Sequence, residues 1–315
     1  MPKQIKRTII IVSATGEELH RFTTTKSDAR QCATKINMIR EDEYLAILNG
    51  TNEDTYGIRK EMLRLLPSIV QVKQEGGLSK HYDYTLVLQD GTTRTVELKT
   101  SQSSWARDEW RPWTPGVQFL QGQVKSKLAQ SFMGACGMPI LRTFFTDVVT
   151  PFLSSHEQCT PCQGMTLEGY LQGATGLKPT DVRSDTKARS FFQLLRANPD
   201  LAEQLRKRWI QHEETYLGTH TFDHTAFTKV VKEILESKDW WLCCTKSGTE
   251  WIEGFRVLDV SYTGVAKKRD GGHLFQYSLT LQKKSGGESR VIPITCRLYW
   301  KNGGQAVQNL NFQIK

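Results

Sequence analysis

The chain has 315 residues, 38% hydrophobic and 24% charged, which describes a globular protein long enough for one large domain or two modest ones. No run of 18 apolar residues occurs, which excludes a membrane-spanning helix, and the stretch Thr8–Ser13 behind the basic start is too short for a secretory leader, so a cytoplasmic protein is expected. The net charge is +9; eleven Lys or Arg against five Asp or Glu between Lys246 and Lys315 supply six of those charges, a basic bias that either favours a phosphate backbone or merely keeps the chain soluble.

In chain order, Ile5–Val12 and Glu17–Thr24 flank Ala14-Thr15-Gly16 and read as a hairpin. Ser27 is placed to cap a helix running through Met38, and Glu41–Leu48 reads as a second helix. The most informative segment follows at 81–100, where two strand-like runs meet at Leu88-Gln89-Asp90-Gly91-Thr92. A two-residue Asp90-Gly91 turn would set Asp83 opposite Leu98 and mix polar with apolar side chains on each face. A three-residue loop with Gly91 left-handed sets Leu88 opposite Thr92 and Asp83 opposite Glu97. Alternation then puts Tyr84, Leu86, Leu88, Val96 and Leu98 on one face and Asp83, Thr85, Glu97 and Lys99 on the other. A slip of one residue would turn the whole apolar set outward, so the bulged register is the expected one.

Two carboxylates and a lysine on one sheet face suit phosphodiester hydrolysis. Mg²⁺ takes hard oxygen ligands, one or two carboxylates plus water and phosphate, and Mn²⁺ can take its place. Such an ion lowers the pKa of a bound water, and a neighbouring lysine orients that water or stabilises developing charge. The plain alternative for Glu97-Leu98-Lys99 alone is a solvated strand salt bridge, worth roughly 0–1 kcal/mol.

Asp83 followed by Glu97-x-Lys99 across a tight hairpin resembles the PD-(D/E)XK nuclease superfamily, with Tyr82 where many members carry proline. The resemblance covers about residues 50–140. It implies an α/β fold, a restriction-endonuclease-like mixed sheet flanked by helices, with helical and β-rich C-terminal additions. It implies Asp54–Leu66 as a first helix, Ser68–Gln74 as a first strand and a later helix from about Thr114 to Phe132. It also implies that Asp83 and Glu97 hold the metal and that Lys99 serves the attacking water. Auxiliary roles fall to Glu61, a glutamate on the first helix, and to Gln118 or Gln121 after the strand.

Beyond the hairpin, the segment 105–113 interleaves three tryptophans with arginines. Trp105, Arg107 and Arg111 would contact nucleic acid, or the tryptophans would pack the loop onto the core. Seven cysteines, an odd number, fit reduced thiols. His156, Cys159 and Cys162, with Cys136 as a fourth donor, have partial zinc spacing, but a lone C-x-x-C is weak and structural zinc is not expected. Helices are expected over Ser184–Arg196, over Pro199–Tyr216 capped by Asn198, and over Thr225–Ser237. The part from 239 on reads as strands between Gly-rich turns, and it carries further nucleic-acid contacts: Lys267, Lys268, Arg269, Lys283, Lys284, Arg290, Arg297 and Lys301. The expected blocks are thus 1–50, a catalytic core over 51–150, a helical region over 151–238, and a basic β-rich region over 239–315.

These features together lead to an expectation of a Mg²⁺-dependent endonuclease of double-stranded DNA, of the type II restriction class, working as a homodimer. A structure-selective repair, recombination or viral nuclease is one alternative. A non-catalytic DNA-binding protein is another.

Overall fold

A computed structural model of the chain describes residues 7–12, 17–24, 33–75, 82–101, 109–113, 120–122, 137–174, 185–220, 223–245, 248–267, 273–300 and 310–314. It is a mixed α/β structure in two compact units, the first comprising Met1–Val117, Ile234–Arg256 and Gln282–Ser289, the second the remainder.

In the first unit, β1 (Arg7–Val12) and β2 (Glu18–Thr24) form the expected antiparallel hairpin. Its turn at 14–16 lies outside the described residues. One helix, α1 (Ala33–Asn49), covers the ground expected for two. The Ser27 cap also lies outside the described residues. Helix α2 spans Ile58–Leu65, inside the expected range. A five-stranded mixed sheet follows in the order β3-β4-β5-β7-β8, with β3 Ile69–Gln74, β4 Tyr84–Leu88, β5 Thr93–Ser101, β7 Trp240–Thr245 and β8 Gly248–Glu253. All neighbours are antiparallel except β5 and β7, which run parallel with Glu97 beside Trp241 and Lys99 beside Cys243.

The expected boundary at 239 is therefore corrected, because β7 and β8 complete the sheet that carries the hairpin rather than joining the basic C-terminal strands. The reason is compositional. Trp240-Trp-Leu-Cys-Cys-Thr245 has no polar face, as suits a strand covered on both sides, and five of its six residues are buried. Cys243 and Cys244 are strand residues, as expected, with free buried thiols.

One face of the sheet holds the core. Tyr84, Leu86, Val96, Leu98, Leu242 and Cys244 pack against Tyr44, Ile47 and Leu48 of α1 and Ile58 and Met62 of α2. At about 25 cal/mol per Å² of apolar surface, each such side chain contributes roughly 1.5–3 kcal/mol. Polar bonds fix how the helices lie. Asn49 pairs with both the N–H and the C=O of Val72, at 2.9 Å each. The Tyr84 hydroxyl donates to the Glu41 carbonyl at 2.8 Å. The Trp251 indole donates to the Ile58 carbonyl at 3.1 Å.

The second unit contains a helical region and a second sheet. Helix α3 (Met138–Phe144) continues through a π-helical stretch, Phe145–Val149, into α4 (Thr150–Ser155). Then come α5 (Leu167–Ala174), α6 (Thr186–Ala197) and α7 (Pro199–Thr219). Helix α8 (His224–Glu236) leads back to the first unit. Asn198 caps α7 through the Leu201 amide and Pro199 opens it, as the sequence indicates. The α6 cap is Asp185, which accepts from the Lys187 and Ala188 amides. The sheet order is β6-β12-β11-β10-β9, with β6 Leu120–Gly122, β9 Phe255–Lys267, β10 His273–Lys283, β11 Ser289–Trp300 and β12 Leu310–Ile314. The helix expected over 114–132 is corrected at Leu120–Gly122, which pairs with β12 as a strand; the rest of that range lies outside the described residues. Among the described residues no helix is long and apolar enough to cross a membrane.

Candidate functional site

The hairpin adopts the bulged register. Tyr84 faces Val96, Thr85 faces Thr95, Leu86 faces Arg94 and Val87 faces Thr93. The Leu88 amide donates to the Thr92 carbonyl at 2.9 Å, and the Gly91 amide to the Leu88 carbonyl at 3.0 Å. Gly91 has φ of 80°, the left-handed value a bulge of this kind requires. Asp90 locks the turn by accepting from the Thr92 amide and hydroxyl, at 2.8 and 2.7 Å. At the other end of the ladder the Asp83 amide donates to the Val96 carbonyl at 2.9 Å. Asp83 thus lies just before β4, beyond the last registered pair, and its side chain reaches across to the Glu97–Lys99 end of β5.

These side chains line a cleft of about 260 Å³ together with Asn37, Arg40, Glu41, Leu98 and Thr100. Asp83 Oδ2 accepts from the Leu98 amide at 2.7 Å, which fixes the carboxylate against β5. Glu97 is held on both oxygens. Lys99 donates to its Oε1, and the Lys238 ammonium lies 3.5 Å from its Oε2. Both ammoniums face the indole of the fully buried Trp241, at 5.8 Å for Lys99 and 5.5 Å for Lys238.

The electrostatics divide the carboxyls. Burial, and then the charge on Glu97, push the Asp83 carboxyl up to about 7, against the opposing pull of Lys99 and the Leu98 amide. Burial opposes charge on Glu97 too, but Lys99 and then Lys238 outweigh it, and Glu97 lies below the ordinary carboxylate range. Lys99 is buried as well; Glu97 overcomes that and holds the ammonium above the usual lysine range. Glu41 is raised, chiefly by burial. At neutral pH the site thus contains a charged glutamate, a charged lysine and an aspartate near its midpoint.

The donor set suits a hard divalent cation. Asp83 and Glu97 offer carboxylate oxygens in a polar cleft that Glu41 also lines. Burial is the first cause of the raised Asp83 value and the Glu97 charge the second, and a cation in the cleft would favour the ionised carboxylate against both. Among the described residues no group of three or more His, Cys, Asp or Glu is placed to hold a metal ion. Two carboxylates completed by water and phosphate are an open arrangement instead.

The other expected residues are placed as follows. Glu61 lies on α2, half-buried, paired with Arg64 at 2.5 Å, and does not line the cleft. The glutamate that a helix brings to the cleft is Glu41. Gln121 is in β6, with only its backbone described, and Gln118 lies outside the described residues. Trp105, Arg107, Lys268, Arg269, Lys301 and Cys136 also lie outside them. In the tryptophan-rich segment the packing alternative holds where it is described. Trp113 is fully buried with its ring centroid 5.8 Å from Trp241, and Trp110 stacks on Phe255 at 6.0 Å. Arg111 beside them is half-buried.

Lys283 and Lys284 are turned to internal use. Lys283 donates to the Glu109 carbonyl at 2.9 Å and lies over the rings of Trp110 and Phe255. Lys284 donates to Asp239 at 2.7 Å and to the Glu236 carbonyl at 2.8 Å. Lys267 pairs with Glu214 at 2.7 Å on an exposed surface. Arg290 is exposed and Arg297 half-buried, both on β11. His156 engages the Phe152 carbonyl and Gln204 through its two ring nitrogens, while Cys159 and Cys162 are buried free thiols.

Sequence reasoning missed Arg40, Glu41 and Lys238. Asn37 and Glu41 stand at helical spacing with the buried Tyr44 and Leu48, so polar residues continuing that line of α1 were a readable signal. Lys238 carried none, being a lysine at a helix–strand joint far along the chain. No family model matches the chain, and no curated protein or solved structure matches it either.

Proposed function

We propose that this protein is a metal-dependent endonuclease that hydrolyses phosphodiester bonds of double-stranded DNA, built on a PD-(D/E)XK-like core. The observation that carries the reading is the convergence of Asp83, Glu97 and Lys99 on one cleft, beside a hairpin whose register buries Tyr84, Leu86 and Val96. The sheet supports it. A helical layer precedes three antiparallel strands, a further strand lies parallel to the Glu97 strand, and a helix leads into that strand. The same pattern underlies restriction-endonuclease-like folds.

In this reading Asp83 and Glu97 would hold Mg²⁺, with Mn²⁺ able to substitute. The ion supplies a water of lowered pKa and charge neutralisation at the phosphate. The chain's own residues do the rest. Lys99, whose ammonium reaches the cleft, orients the attacking water or meets charge building on the phosphate oxygens. Arg40 offers a guanidinium to the neighbouring phosphate. The Leu98 amide keeps Asp83 aimed at the cleft.

Cleavage at a defined sequence, by a homodimer that cuts both strands, is the form we favour, with Arg290 and Arg297 as base-reading side chains. A structure-selective nuclease gains from the internal engagement of Lys283 and Lys284, which removes two side chains from sequence reading. Incubating plasmid with the protein and Mg²⁺ and sequencing the ends tests both forms. Ends at one repeated sequence support the restriction form, and ends scattered over junctions or single-stranded regions support the other. No cleavage under any divalent cation defeats the nuclease reading.

A further inference from the structure

We infer that Lys238 is a positioning residue for the catalytic carboxylate Glu97, so that the site uses two lysines with separate tasks; this rests on the nuclease reading above. Lys238 is 1% exposed and sits at the joint between α8 and β7. Its ammonium donates to the Ile234 carbonyl at 3.2 Å, stands 3.5 Å from Glu97 Oε2, and faces the Trp241 ring. Taking an ammonium out of water is costly, and burial holds this one below the ordinary lysine range.

The backbone around Lys238 is clamped, which makes the contact a built one. The Thr95 hydroxyl donates to the Ser237 carbonyl at 2.6 Å, the Thr95 amide donates to Asp239 Oδ2 at 2.9 Å, and the Asp239 amide returns a bond to the Thr95 carbonyl at 3.1 Å. On the other side the Gly254 amide donates to the Asp239 carbonyl at 2.7 Å, and a Cβ on Gly254 would stand 2.0 Å from the Lys238 carbonyl oxygen. Only glycine permits that approach. Lys238 is therefore fixed between β5, two residues before Glu97, and the end of β8.

The two lysines differ in access. Lys99 lines the cleft and Lys238 does not. Lys99 can leave Glu97 Oε1 for water or phosphate when a cation arrives. Lys238 stays on Oε2 from behind. Glu97 then presents one oxygen to the cleft in a fixed orientation while the other keeps a buried counter-charge. The positive charge at Lys238 also opposes a divalent cation. Its removal acts in two opposite directions: the cation binds more tightly, and turnover falls because Glu97 is no longer held.

That opposition is the test. Lys238→Met and Lys238→Gln keep the side-chain length or polarity without the charge. Each variant is titrated with Mn²⁺ alone, by calorimetry or electron paramagnetic resonance, and its plasmid cleavage is followed in Mg²⁺. The inference expects Mn²⁺ binding at least threefold tighter, kcat at least tenfold lower and KM for DNA within twofold of wild type. Weaker binding together with slower cleavage would mark a purely structural residue and overturn the inference, as would wild-type behaviour in both assays. A second measurement needs no folded variant. In ¹⁵N-lysine-labelled wild-type protein, the Lys238 NH₃⁺ resonance should persist unchanged on adding Ca²⁺ while that of Lys99 shifts; loss or shift of the Lys238 signal defeats the claim. If the wild-type protein neither binds Mn²⁺ nor cuts DNA, the nuclease reading itself has failed. If it does both and the variants match it, only the role of Lys238 has.

Discussion

Gly91 is the cleanest place to perturb the hairpin on which the site depends. Its φ of 80° lies in the left-handed region, and a Cβ added there would meet nothing within 4 Å. Replacement therefore introduces backbone strain without a clash. For most L-residues that strain is about 1–2 kcal/mol, and asparagine escapes much of it through local hydrogen bonding. A β-branched residue falls at the upper end, so Gly91→Val should destabilise the first unit by about 2 kcal/mol and Gly91→Asn by less than about 1 kcal/mol. The bonds from Leu88 to Thr92 and from Gly91 to Leu88 report the loss directly. Urea denaturation followed by tryptophan fluorescence gives the magnitude, and amide exchange at Leu88 and Gly91 gives its location. Equal stability of the valine and asparagine variants would refute the left-handed bulge, and with it the register that sets Tyr84 opposite Val96.

Asp83 carries a pH signature. Its folded value of about 7 lies above the ordinary 3.8, so the folded protein holds that proton more tightly than the unfolded chain. Its contribution is fully present below about pH 4 and is lost as pH rises through 7, by up to about 4 kcal/mol. Asp83→Asn should accordingly be more stable than wild type at pH 8 in metal-free buffer, with the difference shrinking towards pH 4; thermal melts across that range decide it, and equal curves count against the raised value. Lys284→Ala should lower stability by about 1–2 kcal/mol through loss of the Asp239 and Glu236 bonds, while DNA affinity stays near wild type; the reverse pattern in melting and binding assays would restore Lys284 to the DNA surface. Arg290→Ala and Arg297→Ala should each cost on the order of 1–3 kcal/mol at a cognate site and far less on unrelated DNA. Full site preference in both, measured by competition binding in Ca²⁺, places sequence reading elsewhere.

What could be read in advance follows from the range of the interactions. The hairpin register was legible because the two turns give opposite face assignments, and only one buries Tyr84, Leu86 and Val96 together. The cap at Asn198 and Pro199 was legible for the same reason, as local chemistry within a few residues. The sheet was legible only in part. Nothing near Trp240 announces that it pairs with a strand so distant that Thr95 and Asp239, hydrogen-bonded in the fold, are 144 residues apart. Charged side chains were the hardest to assign. Lys283 and Lys284 read as a basic surface, yet an aromatic pair and a carboxylate take them inward. Glu61 reads as the helix carboxylate, but it pairs with Arg64 away from the cleft, while Glu41 on the preceding helix lines it. The tryptophan-rich segment had two balanced readings, and the hydrophobic gain from covering Trp241 and Phe255 decided for packing at Trp110 and Trp113.

The central claim is that Asp83 and Glu97 hold a divalent cation that cuts DNA with the help of Lys99. The most direct measurement compares cleavage of plasmid in Mg²⁺ by the wild-type protein and the Asp83→Ala, Glu97→Ala and Lys99→Ala variants, with DNA binding followed in parallel in Ca²⁺. The account predicts cleavage by the wild type and losses on the order of 10²–10³-fold or more in each variant. Affinity in Ca²⁺ should change little for Lys99→Ala, because phosphate contacts elsewhere supply most of it. Wild-type cutting rates in any of the three variants, or DNA binding with no cleavage by the wild-type protein under Mg²⁺ or Mn²⁺, would contradict it.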